Sequence, residues 1–410
     1  MTPVLPRRRG GRPIYLTPLG VHSRYMLAAY LRHTMMVAAA LMTIALTIDL
    51  WPQVPLLSAD PDLGGPFLIW HIARLAMLRL PDLLPPLLPF ATFLGVVWSE
   101  SAFTESRERL LIWNSGRSPL LCLTPAILAG LLMGASLFIL DGLLRPAAIH
   151  VQMAEVLGRE GIRLDRTQSG GSHWIALPDG VMRAQIEYGP PVILRHVTIY
   201  RLDTNGHLAE VNTARAARPL SGQRWQLENG RYWRADFENR GDVLTTGKTN
   251  EEAEIPFRQR IVPLNLDPLW LHNKGLSPQY LRLGELRSLA QAGIVSRDSS
   301  GYRTRLQSLY SGPFFTCAMA LLGASLAMLA FAYQTRWRAL VMVLLAGYLA
   351  HFAFKALYLV GEFGYIPPIV AGWLAPFLLI LAVAGALLVI QRQRGLGLRL
   401  RETPKFADEA

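Results

Sequence analysis

Residues 120–140 read LLCLTPAILAGLLMGASLFIL, without one Asp, Glu, Lys or Arg. A helix of about 20 residues crosses about 30 Å of hydrocarbon, so this stretch reads as a membrane span. Toward the N-terminus a second apolar run begins near Leu68 and reaches Trp98, interrupted by Pro81, Pro85, Pro86 and Pro89. Such prolines are tolerated in lipid where neighbouring helices re-satisfy the freed carbonyls. A first run covers about 34–50, extended backwards by 25–31. Arg7, Arg8, Arg9, Arg12 and Arg24 precede it and no A-x-A cleavage site follows, so it reads as a retained anchor rather than a signal peptide. After a long polar stretch come three more runs, at about 313–333, 339–360 and 366–390. The expected fold class is a membrane α-helical protein with six transmembrane helices and an inserted all-β domain, not a soluble enzyme.

Composition agrees. The 410 residues are 51% hydrophobic, with a formal charge of +12. Such a charge ordinarily raises nucleic acid as a partner, but here it flanks the apolar runs, where topology rules place it, and no nucleic-acid partner is expected. Arginines occupy the N-terminal segment, the loop with Arg107, Arg109 and Arg117, the loop with Arg336 and Arg338, and the tail with Arg392, Arg394, Arg399 and Arg401. The alternate loops lack them: 51–66 carries Asp60 and Asp62, and 361–365 carries Glu362. The rule places both termini in the cytoplasm and residues 146–308 outside it.

That outer segment alternates like a β domain. Trp174-Ile175-Ala176-Leu177 meets the turn Pro178-Asp179-Gly180. Residues 192–202 set Val197, Ile199 and Arg201 against His196, Thr198 and Tyr200 and end at the hairpin signal Asp203-Thr204-Asn205-Gly206. Trp225-Gln226-Leu227 and the turn Asn229-Gly230 follow, so an antiparallel sandwich or jelly roll is expected. Residues 277–292 read as a helix, with Leu283, Leu286 and Leu289 on one face.

Catalytic chemistry is absent from the pattern. Gly247-Lys248-Thr249 lacks the glycine that a phosphate loop needs, because Asp242 stands in its place. The histidines form no HExxH, and there is no G-x-S-x-G elbow. Cys122 and Cys317 lie inside apolar runs with no metal or disulfide spacing. No catalytic residue, metal or cofactor is expected, and any ATP would be bound by a partner subunit.

Three groups of residues remain as candidate sites. In the loop 98–118, residues 100–113 can form a short amphipathic helix bearing Glu105, Arg107, Glu108 and Arg109, with Leu110, Leu111, Ile112 and Trp113 apolar. Asn114-Ser115-Gly116 would end it. It is either a solvated interfacial helix or a coupling helix that docks on a cytoplasmic motor. Arg74, Arg79 and Lys355 are cations at membrane depth, which face a cavity, a partner or a lipid head group, or snorkel. In the β domain Trp174, Val197, Ile199, Trp225 and Leu227 either fill a core or line an apolar groove for acyl chains.

From about 25 to 390 the arrangement resembles the lipopolysaccharide-export permeases LptF/LptG, also called YjgP/YjgQ. Leu80-Pro81-Asp82-Leu83, Leu88-Pro89 and Leu94-Gly95 are similar to that family's second-helix pattern. Ser106-Arg107-Glu108 through Ser115-Gly116-Arg117-Ser118 is similar to its coupling segment. Val197-Thr198-Ile199-Tyr200, Trp225-Gln226-Leu227, Pro367-Pro368 and Ala371-Gly372-Trp373-Leu374-Ala375-Pro376 follow in its order. Ile48-Asp49 and the 276–292 stretch lean toward the LptG branch.

The resemblance implies an Arg-rich extension at 1–24, helices over 25–145 with a coupling loop at 99–118, a periplasmic β-jellyroll at 146–308, helices over 309–391 and a tail at 392–410. It also implies a transmembrane subunit of an ABC-type exporter in the bacterial inner membrane. Expected partners are an LptB-like ATPase dimer, an LptF-like paralogue, LptA-like and LptC-like jellyroll proteins, and lipopolysaccharide. Two departures stand out. Leu46 occupies the place of a lysine found in LptG proteins, and Arg109 replaces an apolar residue after the coupling acid. A membrane anchor that presents a β domain without transport is the alternative.

Overall fold

The computed structural model describes residues 20–53, 66–114, 119–169, 171–189, 191–220, 223–235, 254–291, 298–331 and 337–401. Helix α1 runs Val21–Leu50, α2 Pro66–Leu83 and α3 Leu88–Glu105. The second apolar run is thus two helices, bent by 81° at the break. Pro85 and Pro86 lie in that break, where each ring removes an N–H and clashes with the carbonyl four residues back. Pro89, in the first turn of α3, costs nothing because no intrahelical partner awaits its nitrogen.

Helix α4 is short, Glu108–Asn114, and leaves α3 through Arg107 in the left-handed region at φ 61°. Helix α5, Pro119–Ile139, runs through a π-turn at Leu140–Leu144 into α6, Arg145–Ala154. The apolar run read at 120–140 is therefore the front of one longer span, Leu121–Ala154. Helix α7, Gly158–Ser169, leads into the β domain. Beyond it come α8, Pro268–His272, a 3-10 turn at Pro278–Tyr280, and α9, Leu283–Gln291. The expected single helix at 277–292 is split there, since Leu281 is extended between the two pieces. Helices α10, Asp298–Ala330, α11, Trp337–Glu362, and α12, Pro368–Arg401, follow. Among the described residues five helices are long and apolar enough to cross a membrane, and the bent α2–α3 pair makes a sixth candidate.

α10 is the hub of the bundle: 61% of its apolar window is buried, against 17% for α1 and α11. It packs on α3, α5, α11 and α12. Small residues let the backbones close up, as lipid-embedded helices require. A Cβ at Gly130 on α5 would stand 2.7 Å from the Cys317 Cα on α10.

The β domain is one antiparallel sheet in sequential order: β1 His173–Leu177, β2 Gly180–Glu187, β3 Ile193–Leu202, β4 Leu208–Pro219, β5 Arg224–Arg234 and β6 Ile255–Pro263. Alternation buries Met182, Ala184 and Ile186 on β2 and exposes their neighbours. The Asp203 hairpin forms as its sequence directs. The backbone N–H groups of His207 and Asn205 each donate to the Asp203 carboxylate at 2.8 Å, which holds its pKa below the usual range. The described strands make a meander and not the crossed order of a jelly roll, so that expectation narrows to an antiparallel all-β sheet. The Gly247-Lys248-Thr249 segment lies outside the described residues.

Candidate functional site

Charges from distant parts of the chain converge beside the break between α2 and α3. Asp49 closes α1, and Arg79 grips it with Nε and Nη2 at 2.7 Å each. Arg79 also reaches Asp82 at 2.9 Å. Asp82 in turn accepts from Arg145 at 2.7 Å, and Arg145 reaches Asp141 in the π-turn at 2.8 Å. Arg305, on the buried α10, completes the chain with a 2.7 Å bond to Asp141. Three carboxylates and three guanidiniums thus alternate in sign. Burying charges costs several kcal/mol each unless they are paired, and here each interior member has an opposite charge on both sides.

The trailing segment of the β domain is tied to the same chain. The Tyr280 hydroxyl donates to Asp82 at 3.2 Å, and the Arg145 guanidinium lies 5.5 Å from the Tyr280 ring centroid. Burial, then the Asp82 charge, raises the Tyr280 pKa, so the phenol keeps its proton and remains a donor.

A cavity of about 140 Å³ opens beside this chain, lined among others by Pro85, Pro86, Asp141, Arg145, Arg305 and Lys355. Asp141 is already shared by two arginines. Lys355, on α11, therefore adds a cation that no carboxylate among the described residues pairs within 4.0 Å. The buried Arg305 Nε also lacks a hydrogen-bond partner among the described residues. No group of His, Cys, Asp and Glu among the described residues could hold a metal ion.

The three cations singled out in the sequence are not brought together. Arg74 pairs with Glu155 at 2.5 Å on the surface, and Arg79 is held in the charged chain. Of the three, only Lys355 lines the cavity, with no carboxylate among the described residues within 4.0 Å. The β-domain residues also separate. Val197, Ile199, Trp225 and Leu227 are at most 1% exposed in one closed core, with Leu264, Leu266 and Leu271 packed on it. The Trp225 Nε1 donates to the Leu266 carbonyl at 3.2 Å. Trp174 lies on the other face, 60% exposed and stacked on Tyr200.

On α4, Glu105 just before it is exposed and Glu108 is half-buried. Arg109 turns inward, 2% exposed, and pairs with Glu100 of α3, to which the Tyr30 hydroxyl of α1 also donates. Burial opposes the Arg109 charge, but Glu100 outweighs it and shifts the pKa upward, so the guanidinium stays charged. The Trp113 side chain and Gly116 lie outside the described residues.

The family model for the lipopolysaccharide export system permease LptF/LptG matches residues 24–389. The chain belongs to the LptF/LptG family. No curated protein matches it. LptF/LptG proteins are permeases of lipopolysaccharide export, and the long apolar helices make this member a membrane protein. Its charged chain was only half legible in sequence. Asp141 and Arg145 carry a signal, since an acid four residues before an arginine on a helix is an ion-pair spacing. Glu100 lies beyond the second apolar run, which ends at Trp98, and carries no local signal. Nothing local ties Arg305 to Asp141, or Tyr30 to Glu100.

Proposed function

We propose that this LptF/LptG chain is the transmembrane subunit of an ABC-type exporter in the bacterial inner membrane. It extracts lipopolysaccharide from the outer leaflet and passes it to a periplasmic bridge of β-jellyroll proteins. The observation that carries the reading is the unpaired Lys355 in a cavity beside the proline-broken helix. A free cation at membrane depth calls for an anion, and the phosphates of lipopolysaccharide supply one. The arginine-bearing loops support an orientation with both termini in the cytoplasm, the sheet in the periplasm and α4 facing the cytoplasm.

Moving several acyl chains out of a bilayer costs about 0.8 kcal/mol per CH₂, so an energy source is needed. Glu108 on α4, with Leu111 at 71% exposure, offers a docking face for an LptB-like ATPase dimer. Ile48-Asp49 favours the LptG branch, with an LptF-like paralogue as the second permease. The edge strands β1 and β6 are suited to strand addition by LptA-like or LptC-like neighbours.

Two substitutions test this. Glu108→Lys reverses a charge at the docking face, which costs several kcal/mol, and is expected to lower ATPase co-purification by about tenfold or more. Normal co-purification and export in this variant would remove α4 from the interface. Lys355→Glu is expected to abolish most of the stimulation of ATP hydrolysis by lipopolysaccharide in a reconstituted complex. Unchanged stimulation would take the head group away from this cavity.

A further inference from the structure

We propose that Arg109, Glu100 and Tyr30 form a strut that locks α4 to the α1–α3 pair, so that movement applied to α4 is delivered to those two helices. The proposal rests on the reading of α4 as the helix that a motor subunit grips. Its geometry stands apart from that reading.

A helix of 7 residues has no stability of its own, so tertiary contacts must set its position. Its joint to α3 is two residues long, with Arg107 in a left-handed conformation. A short joint of that kind lets a helix swing. Two contacts stop the swing. Ile112, 8% exposed, enters a core with Met26, Tyr30 and Phe103. Arg109, 2% exposed, enters between α3 and α1 and meets Glu100, 1% exposed, while the fully buried Tyr30 holds the other Glu100 oxygen.

Helices α1 and α3 are themselves joined nearby. A Cβ at Gly95 would stand 2.4 Å from the Thr34 backbone, and His33 Nδ1 lies 2.7 Å from Ser99 Oγ. The His33 ring stacks on Trp98 at 5.0 Å. The pair therefore responds as a unit, and Arg109 fastens α4 to it from inside. The arginine that departs from the resembled coupling pattern is thus internal, while Glu108 beside it is half-buried and Glu105 exposed.

A buried ion pair adds little stability over apolar residues of like volume, but it fixes one geometry. That difference gives the test. The double variant Glu100→Gln/Arg109→Met removes both charges and keeps an acceptor for the Tyr30 hydroxyl, so it is expected to fold. In the full-length chain in detergent, spin labels at Leu111 and Met36, both exposed, report the α4–α1 distance. A narrow distance distribution in the otherwise unaltered chain and a broad one in the double variant are expected. Equal widths overturn the strut, and this readout requires no partner.

In the reconstituted exporter the double variant is expected to bind the ATPase and hydrolyse ATP as the parent does. It should release about tenfold less lipopolysaccharide per ATP. An unchanged ratio overturns the strut as a transmission element. Failure of the unaltered chain to bind any ATPase overturns the exporter reading instead.

Discussion

Asp141→Ala is expected to destabilise the protein by about 3–5 kcal/mol, the usual effect of removing one partner from a buried ion pair. Asp141 accepts from Arg145 at 2.8 Å and from Arg305 at 2.7 Å, and the Arg305 side chain is only 8% exposed. Without the carboxylate, Arg305 is a buried cation that has lost its ion pair, and Arg145 falls back on Asp82. The π-turn that carries Asp141 joins α5 to α6, so the damage spreads to the span and to the Tyr280 contact beyond it. Asp141→Asn keeps an acceptor but loses the charge, and should fall between the two. Thermal unfolding in detergent measures the order: parent, then Asn, then Ala. An Ala variant that melts with the parent would mean that the alternating chain contributes nothing to folding.

Gly95→Leu is expected to separate α1 from α3. The nearest atoms to an added Cβ are the Thr34 Cα, backbone nitrogen and Oγ1, each at 2.4 Å. Two of these are backbone, so no rotamer change relieves the clash. Overpacking a close contact costs about 1–3 kcal/mol and sometimes more. The shift would also pull His33 from Ser99 and Tyr30 from Glu100, which adds to the loss. A second-site Thr34→Ala change is expected not to rescue it, because it removes only the hydroxyl among those atoms. Full rescue, seen as a restored melting temperature, would show that the clash is with the side chain and not the helix axis.

The readable part of this fold is the part that depends on near neighbours in the chain. Residues 120–140 announce a span because the burial of an uncharged run in lipid needs no partner to be specified. The alternation at β2 and the Asp203 turn are likewise local, and both form as their residues direct. The prolines at 85 and 86 mark a defect in the second run, yet its angle of 81° follows from how α3 packs on α1 and α10. In the β domain the strands were legible but their arrangement was not. Strand order is a choice among pairings of similar local character, and the described residues chose a simple meander.

The candidate site divides in the same way. The short helix expected over 100–113 is divided between the end of α3, at Glu105, and α4, Glu108–Asn114. Sequence alone determined that this is a multi-span membrane protein with an inserted β domain and that arginines flank its apolar runs. Hydropathy, turn chemistry and charge spacing are properties of adjacent residues, and they suffice for those conclusions. Only the tertiary structure decided which cations are occupied. Arg79 is spent on Asp49 and Asp82, Arg109 on Glu100, and Lys355 is left facing the cavity. The partners that settle this are far apart along the chain: Arg305 and Asp141 are 164 residues apart, and Tyr280 and Asp82 are 198 apart. A buried charge is stable only beside its counter-charge, and packing of the helices selects which one arrives.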